Sequence, residues 1–154
     1  MDGKMQSLHD NCWLGDPVVY EDLSGKEQES YNAASLMSQM AEWGYLEGQK
    51  INGDKWGADI LFYRSSDSSV LKVQLKGRVT LSKHYSGKDI HIAFKSKKCG
   101  SWFLYSHDQV LKEVLARGHL SGTQSWDVTG GWSWHNEPAW LREILNSWCI
   151  TKRV

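Results

Sequence analysis

Trp56-Gly57-Ala58-Asp59-Ile60-Leu61-Phe62-Tyr63, then Ser65-Ser66-Asp67-Ser68-Ser69, then Val70-Leu71-Lys72-Val73-Gln74-Leu75-Lys76-Gly77 is the stretch whose reading decides the fold. Two apolar runs flank a serine-rich segment centred on an aspartate, residue types that favour turns, so the stretch predicts a β-hairpin. Successive side chains on a strand point to opposite faces. Leu71, Val73 and Leu75 are therefore expected to face a core, with Lys72, Gln74 and Lys76 together on the other side. Asp59 enters the first strand next to a glycine, and pairing of the hairpin brings its carboxylate toward Gln74 and Lys76. A carboxylate, a neutral amide and an ammonium on one face read as a candidate metal site with a lysine beside it.

Ahead of the hairpin, Ser24-Gly25-Lys26-Glu27 fits a capping box and opens a helix from about Gly25 to Trp43. Ala33, Leu36, Met37, Met40 and Ala41 recur at helical spacing, and Gly44 stands where a left-handed residue ends a helix. Glu27 is explained by capping. Glu29 lies on the edge of the core-facing stripe and is the better candidate acid, although a first-turn carboxylate is also favoured by the helix dipole alone. Beyond the hairpin, Asp89-Ile90-His91-Ile92-Ala93-Phe94 alternates like a strand, and Ser101-Trp102-Phe103-Leu104-Tyr105 reads as a short buried one. Ser106-His107-Asp108-Gln109 repeats the capping-box pattern before Val110, Leu111, Val114 and Leu115, with Gly118 as a stop. Asn136-Glu137-Pro138 can start a last helix carrying Trp140, Leu141, Ile144, Leu145 and Trp148. The segment Leu120 to Asn136 is irregular and assigned to no element.

The chain has 154 residues, 40% of them hydrophobic, and two prolines, which fits one globular domain spanning 1–154. No apolar stretch approaches a membrane span, and Met1 to Gln6 lack the pattern of a signal peptide, so a cytoplasmic protein is expected. Cys12, Cys99 and Cys149 are far apart and form no paired motif; they read as buried or incidental thiols. The net charge of zero hides an uneven distribution. Residues 1–30 hold seven acids against two bases. In residues 72–98 the bases Lys72, Lys76, Arg78, Lys83, Lys88, Lys95, Lys97 and Lys98 face only Asp89, making a surface suited to a polyanion.

A helix with an early Glu29, Gly57-Ala58-Asp59 at a strand start, and Gln74-Leu75-Lys76 on the next strand resemble the PD-(D/E)XK nuclease superfamily over roughly residues 24–105. Val73-Gln74-Leu75-Lys76 looks like the branch in which Gln replaces the acidic residue, seen in some intron-encoded endonucleases, resolvase-like enzymes and uncharacterised bacterial families. Ala58 stands where the family name has proline. The resemblance implies an α/β fold with a restriction-endonuclease-like core: a mixed central sheet with an N-terminal helix and later helices packed on it. It further implies Mg²⁺-dependent endonucleolytic hydrolysis of DNA phosphodiesters, with Mn²⁺ able to substitute and RNA cleavage as a variant. In that scheme Asp59 is the principal metal ligand and Gln74 adds a carbonyl oxygen. The Leu75 backbone carbonyl also ligates, Glu29 binds or orients a metal-held water, and Lys76 positions or activates the attacking water.

The expected partner is double-stranded DNA, contacted by Lys72, Arg78, Lys83, Lys88, Lys95, Lys97 and Lys98. A homodimer or higher homo-oligomer would match the symmetry of a duplex target. Because Gln74 removes a charge from the site and some members of the superfamily have lost activity, a second reading stays open: an inactive nuclease-fold module that binds nucleic acid or protein. The six histidines form no recognised ligand pair, and no nucleophile elbow or phosphate-binding glycine loop occurs. Nine tryptophans are unusual, and Trp126, Trp132, Trp134, Trp140 and Trp148 crowd the C-terminal part. Core packing explains most of them. Trp132-Ser133-Trp134 could instead form a dimer surface or stack on unpaired bases.

Overall fold

The computed structural model describes residues 12–52 and 57–152. Trp56 of the opening motif, His9, and the N-terminal charges Asp2, Lys4 and Asp10 lie outside the described residues. The chain divides into two units, residues 1–32 and 33–154.

In the first unit, an exposed segment leads into a 3-10 turn at Tyr20–Asp22 and the start of helix α1, Gly25–Ala41. The capping box forms as expected: the Ser24 N–H donates to Glu27 Oε2 at 2.8 Å, and the Glu27 N–H donates to Ser24 Oγ at 3.3 Å. Tyr20 anchors this unit. Its carbonyl accepts from Gln28 Nε2, its hydroxyl accepts from Asn32 Nδ2, and its ring meets Tyr31 edge-on.

The second unit is built on a five-stranded mixed sheet of β1 (Glu47–Lys50), β2 (Ile60–Arg64), β3 (Ser69–Leu75), β5 (Ile90–Lys95) and β6 (Trp102–Ser106). The strands lie side by side in that order. β2 and β3 are the expected hairpin, with Ile60 opposite Val73 and Arg64 opposite Ser69. Its turn is closed by Asp67, whose carboxylate takes the Ser69 N–H and the Arg64 guanidinium. β5 runs parallel to β3; β1 and β6 are antiparallel to their neighbours.

On one face of the sheet, Ala33, Leu36 and Met40 of α1 pack on Ile60, Phe62, Val73, Ala93, Trp102 and Leu104. Gly44, with φ of +85°, terminates the helix. On the other face, Ile90, Ile92, Phe94, Phe103 and Tyr105 of β5 and β6 meet helices α2 (His107–Ala116) and α3 (Ala139–Leu145). This is the mixed sheet, with an N-terminal helix and later helices packed on it, that the sequence led us to expect.

Four elements were not expected. β1 has four exposed residues and no apolar alternation. β4 (Thr80–Ser82) and β7 (Gly131–Ser133) form a separate two-stranded sheet, with Leu81 opposite Trp132. A π-helical turn at Ser125–Thr129 precedes β7, so the segment that carries no readable pattern in the sequence is ordered. β4 is fastened to β6 and the start of α2 by two buried side chains. The Tyr105 hydroxyl donates to the Thr80 carbonyl and accepts the Thr80 N–H, while His107 Nε2 accepts the Ser82 N–H. Among the described residues the cysteines are free, Cys12 and Cys99 being exposed and Cys149 partly buried. No described helix is long and apolar enough to cross a membrane.

Candidate functional site

The α2 and α3 layer covers β5 and β6 but contributes no core contact to β2 or β3, whose side chains on that face stay accessible. Tyr63, next to the end of β2, is 39% exposed. Asp59, Gln74 and Lys76 lie along this border, where a core ends and an accessible sheet face begins.

Asp59 is positioned by backbone. Its N–H donates to the Val73 carbonyl at 2.8 Å and its carbonyl accepts the Ile51 N–H at 2.9 Å, so it extends the ladder one residue ahead of β2. Gly57 allows the chain to enter this way: its φ is +68°, and a Cβ there would lie 2.8 Å from Ile90 Cδ1. The Asp59 side chain then takes over the ladder. Oδ2 accepts the Leu75 N–H at 2.9 Å, standing in for a strand partner, and accepts Gln74 Nε2 at 2.8 Å. Asp59 Oδ1 and Gln74 Oε1 accept no hydrogen bond among the described residues, which leaves two hard oxygens at the border. The Lys76 N–H pairs with the Ala93 carbonyl, and its ammonium sits 5.6 Å from the centre of the Tyr85 ring, a cation–π contact that holds the charge at the same border.

Glu29 is exposed on α1 in the first unit, and its side chain makes no hydrogen bond or ion pair among the described residues. The site geometry above comes from the second unit alone. Among the described residues, no three of the His, Cys, Asp and Glu side chains gather as a metal cluster. The donors that Asp59 and Gln74 offer are one carboxylate and one amide carbonyl. Such a set suits a hard cation whose remaining positions are filled by water and a ligand's phosphate oxygens.

The expected cationic residues divide into groups. The Lys72 ammonium donates to the Lys88 carbonyl, which ties these two residues together. Lys83 places its ammonium 5.2 Å from the centre of the Trp126 ring. Lys95, Lys97 and Lys98 are exposed and line, with Arg78, a small cleft of about 150 Å³. Arg78 also lines a larger open cleft of about 930 Å³ between β4, β7 and the π-helical turn. Tyr85, the residue under the Lys76 ammonium, forms part of its wall. Sequence reasoning missed this cleft because its walls are two three-residue strands, a π-helical turn and loop residues, none with a periodicity to read. The Trp132-Ser133-Trp134 run was the one signal that pointed to it.

No protein-family model and no curated protein matches the chain. The solved structure of a bacterial homing endonuclease is similar to it over 82% of this chain and 95% of that one, at 12% identity and a TM-score of 0.39. Nothing about the site rests on that likeness.

Proposed function

We propose that the protein is a metal-dependent hydrolase of nucleic-acid phosphodiesters, with DNA as the preferred substrate and Asp59, Gln74 and Lys76 at its centre. The observation that carries the proposal is the hydrogen-bonded pair of Asp59 and Gln74 with Lys76 two residues on, followed directly in the chain by Gly77 and Arg78, which line the small cleft that carries Lys95, Lys97 and Lys98. Mg²⁺ is the cofactor that suits these donors; Asp59 and the Gln74 side-chain carbonyl would hold it. When bound it would polarise a phosphoryl oxygen and acidify a water. The chain supplies the rest. Lys76 offers a fixed positive charge to the oxygens on which charge grows during attack, and its donors can orient the attacking water. Arg78, Lys95, Lys97 and Lys98 hold the flanking phosphates. With a single carboxylate in the pair, cation binding and phosphate binding support each other.

A second reading is a nucleic-acid-binding module without catalysis. The dual use of Asp59 Oδ2, which accepts from both Gln74 and the Leu75 N–H, favours it, since this accounts for the carboxylate as a structural plug at the end of the ladder. The experiment that separates the two is cleavage of supercoiled plasmid, single-stranded DNA and structured RNA with Mg²⁺, Mn²⁺ or EDTA. Asp59→Asn keeps an acceptor for the Leu75 N–H while removing the charge, so it folds like wild type and should lose cleavage. Lys76→Ala should lose it as well. Metal-dependent cleavage by wild type that survives in Asp59→Asn overturns the assignment, and an inert wild type that still binds DNA favours the module.

A further inference from the structure

Trp132 stands apart from the other tryptophans at this end of the molecule. Trp126 is buried beneath the Lys83 ammonium. Trp134 meets Trp140 edge-on, Trp140 stacks on His119 with ring centres 3.6 Å apart, and Trp148 packs against the core. Trp132 is 47% exposed on β7, and among the described residues no ring or cation stacks on it. Exposure alone would call for no explanation, but an indole with no ring or cation on it that lines a cleft invites a reason.

The cleft supplies one. Its other walls carry hydroxyls at Ser82, Ser125 and Thr129, together with Arg78 and His135. The cleft also adjoins the small cationic one: Arg78, His135 and Asn136 line both. The small cleft carries Lys95, Lys97 and Lys98, with Glu137 as the acid among them. An aromatic surface beside a cationic channel suits single-stranded nucleic acid. The channel follows the phosphates, while a flat ring takes a base on its face regardless of sequence. The wall is stiff, since β4 is held by Tyr105 and His107 and paired to β7 across Leu81 and Trp132.

We propose that the Trp132 cleft is a stacking site for an unpaired nucleobase, its strand running along Arg78 and Lys95–Lys98 toward the Asp59–Lys76 border. This rests on the nucleic-acid reading above and deepens it. The substrate class becomes DNA with an unpaired or extruded nucleotide beside the phosphodiester that is cut, rather than an uninterrupted duplex.

The test is fluorescence anisotropy with a labelled oligothymidylate and with the matching blunt duplex, across a salt series, for wild type and for Trp132→Ala, Trp132→Phe and Lys97→Ala/Lys98→Ala. Circular dichroism of each variant checks the fold. Trp132→Ala should weaken single-strand binding by about 5-fold to 150-fold, with duplex binding unchanged and Trp132→Phe close to wild type. The double lysine variant should instead flatten the single-strand salt slope by about 0.7 log units for each phosphate it no longer neutralises. Equal single-strand affinity in wild type and Trp132→Ala, an equal loss on both probes, or no binding of either probe by wild type overturns the proposal. Cleavage assays on the same proteins separate the two claims. A wild type that binds single strands through Trp132 but cuts nothing keeps the stacking site and removes the hydrolase; one that cuts, with Trp132→Ala binding single strands unchanged, does the reverse.

Discussion

Asp59 Oδ2 already accepts from Gln74 Nε2 and from the Leu75 N–H, so a second carboxylate at position 74 would face it at hydrogen-bond distance with no proton between. Gln74→Glu therefore exchanges an attraction for a repulsion, and in EDTA it should destabilise the fold by about 1 kcal/mol, the pair being solvent-exposed. The same substitution doubles the charge offered to a cation. Excess Mg²⁺ should then restore stability, because a ligand that binds only the folded state contributes about 2.7 kcal/mol at a hundredfold excess over its dissociation constant. Urea unfolding of wild type and variant, with EDTA and with Mg²⁺, reads both effects; a loss that Mg²⁺ leaves untouched would mean that this border does not hold the cation. Much of the geometry at this scale was legible in the sequence, since the period of two in a hairpin puts Gln74 and Lys76 on one face and Asp59 at its entrance. The bond from the Leu75 N–H was not legible, because it depends on Asp59 lying one residue beyond the strand, where a side chain replaces a missing backbone partner.

Among the elements, those with local signals were readable and those made by their neighbours were not. α1 carries its own start in Ser24 and Glu27 and its own stop in Gly44, and both form as written. β1 has no such signal: Glu47-Gly48-Gln49-Lys50 is polar throughout and becomes a strand only because β2 offers it an edge. β4 likewise exists because Tyr105 and His107, distant in sequence, hold its backbone. The clearest mark of β1 is Gly48, where a Cβ would lie 2.9 Å from Cε1 and 3.2 Å from Cδ1 of Phe62. Phe62 is 1% exposed and wedged in the core, so it cannot swing away. Gly48→Val should cost about 1–3 kcal/mol through overpacking, even though valine is the better strand former. The urea midpoint should fall with an unchanged slope, and a midpoint equal to or above wild type would show that β1 does not lie against Phe62.

The stability of the whole molecule carries the mark of two histidines, one buried and one half-buried. His107 is fully buried; its Nε2 accepts the Ser82 N–H, so its proton sits on Nδ1, 3.0 Å from Asp108 Oδ1. Protonation would set an N–H against an N–H, and burial holds the group below its ordinary value of 6.5 although Asp108 pulls the other way. His91 is lowered too, again mainly by burial and against the pull of Asp89, and its Nδ1 is buried without a hydrogen-bond partner. The unfolded chain therefore binds more protons than the folded one at any pH between the folded values and about 6.5, and stability must fall as pH falls through that window. Each unit of depression is worth about 1.4 kcal/mol once the window has been crossed. The Asp67 carboxylate, held far below its usual range by Arg64, contributes only below the unfolded value of 3.8, so it does not mask the effect. Urea midpoints measured from about pH 7 to about pH 5 should decline steadily in wild type. His107→Gln, with an amide oxygen to accept the Ser82 N–H and no proton to gain, should decline less, the remaining slope belonging to His91. A flat wild-type profile would show that both imidazoles find partners for their extra protons inside the fold, and an equal slope in His107→Gln would assign the whole effect elsewhere.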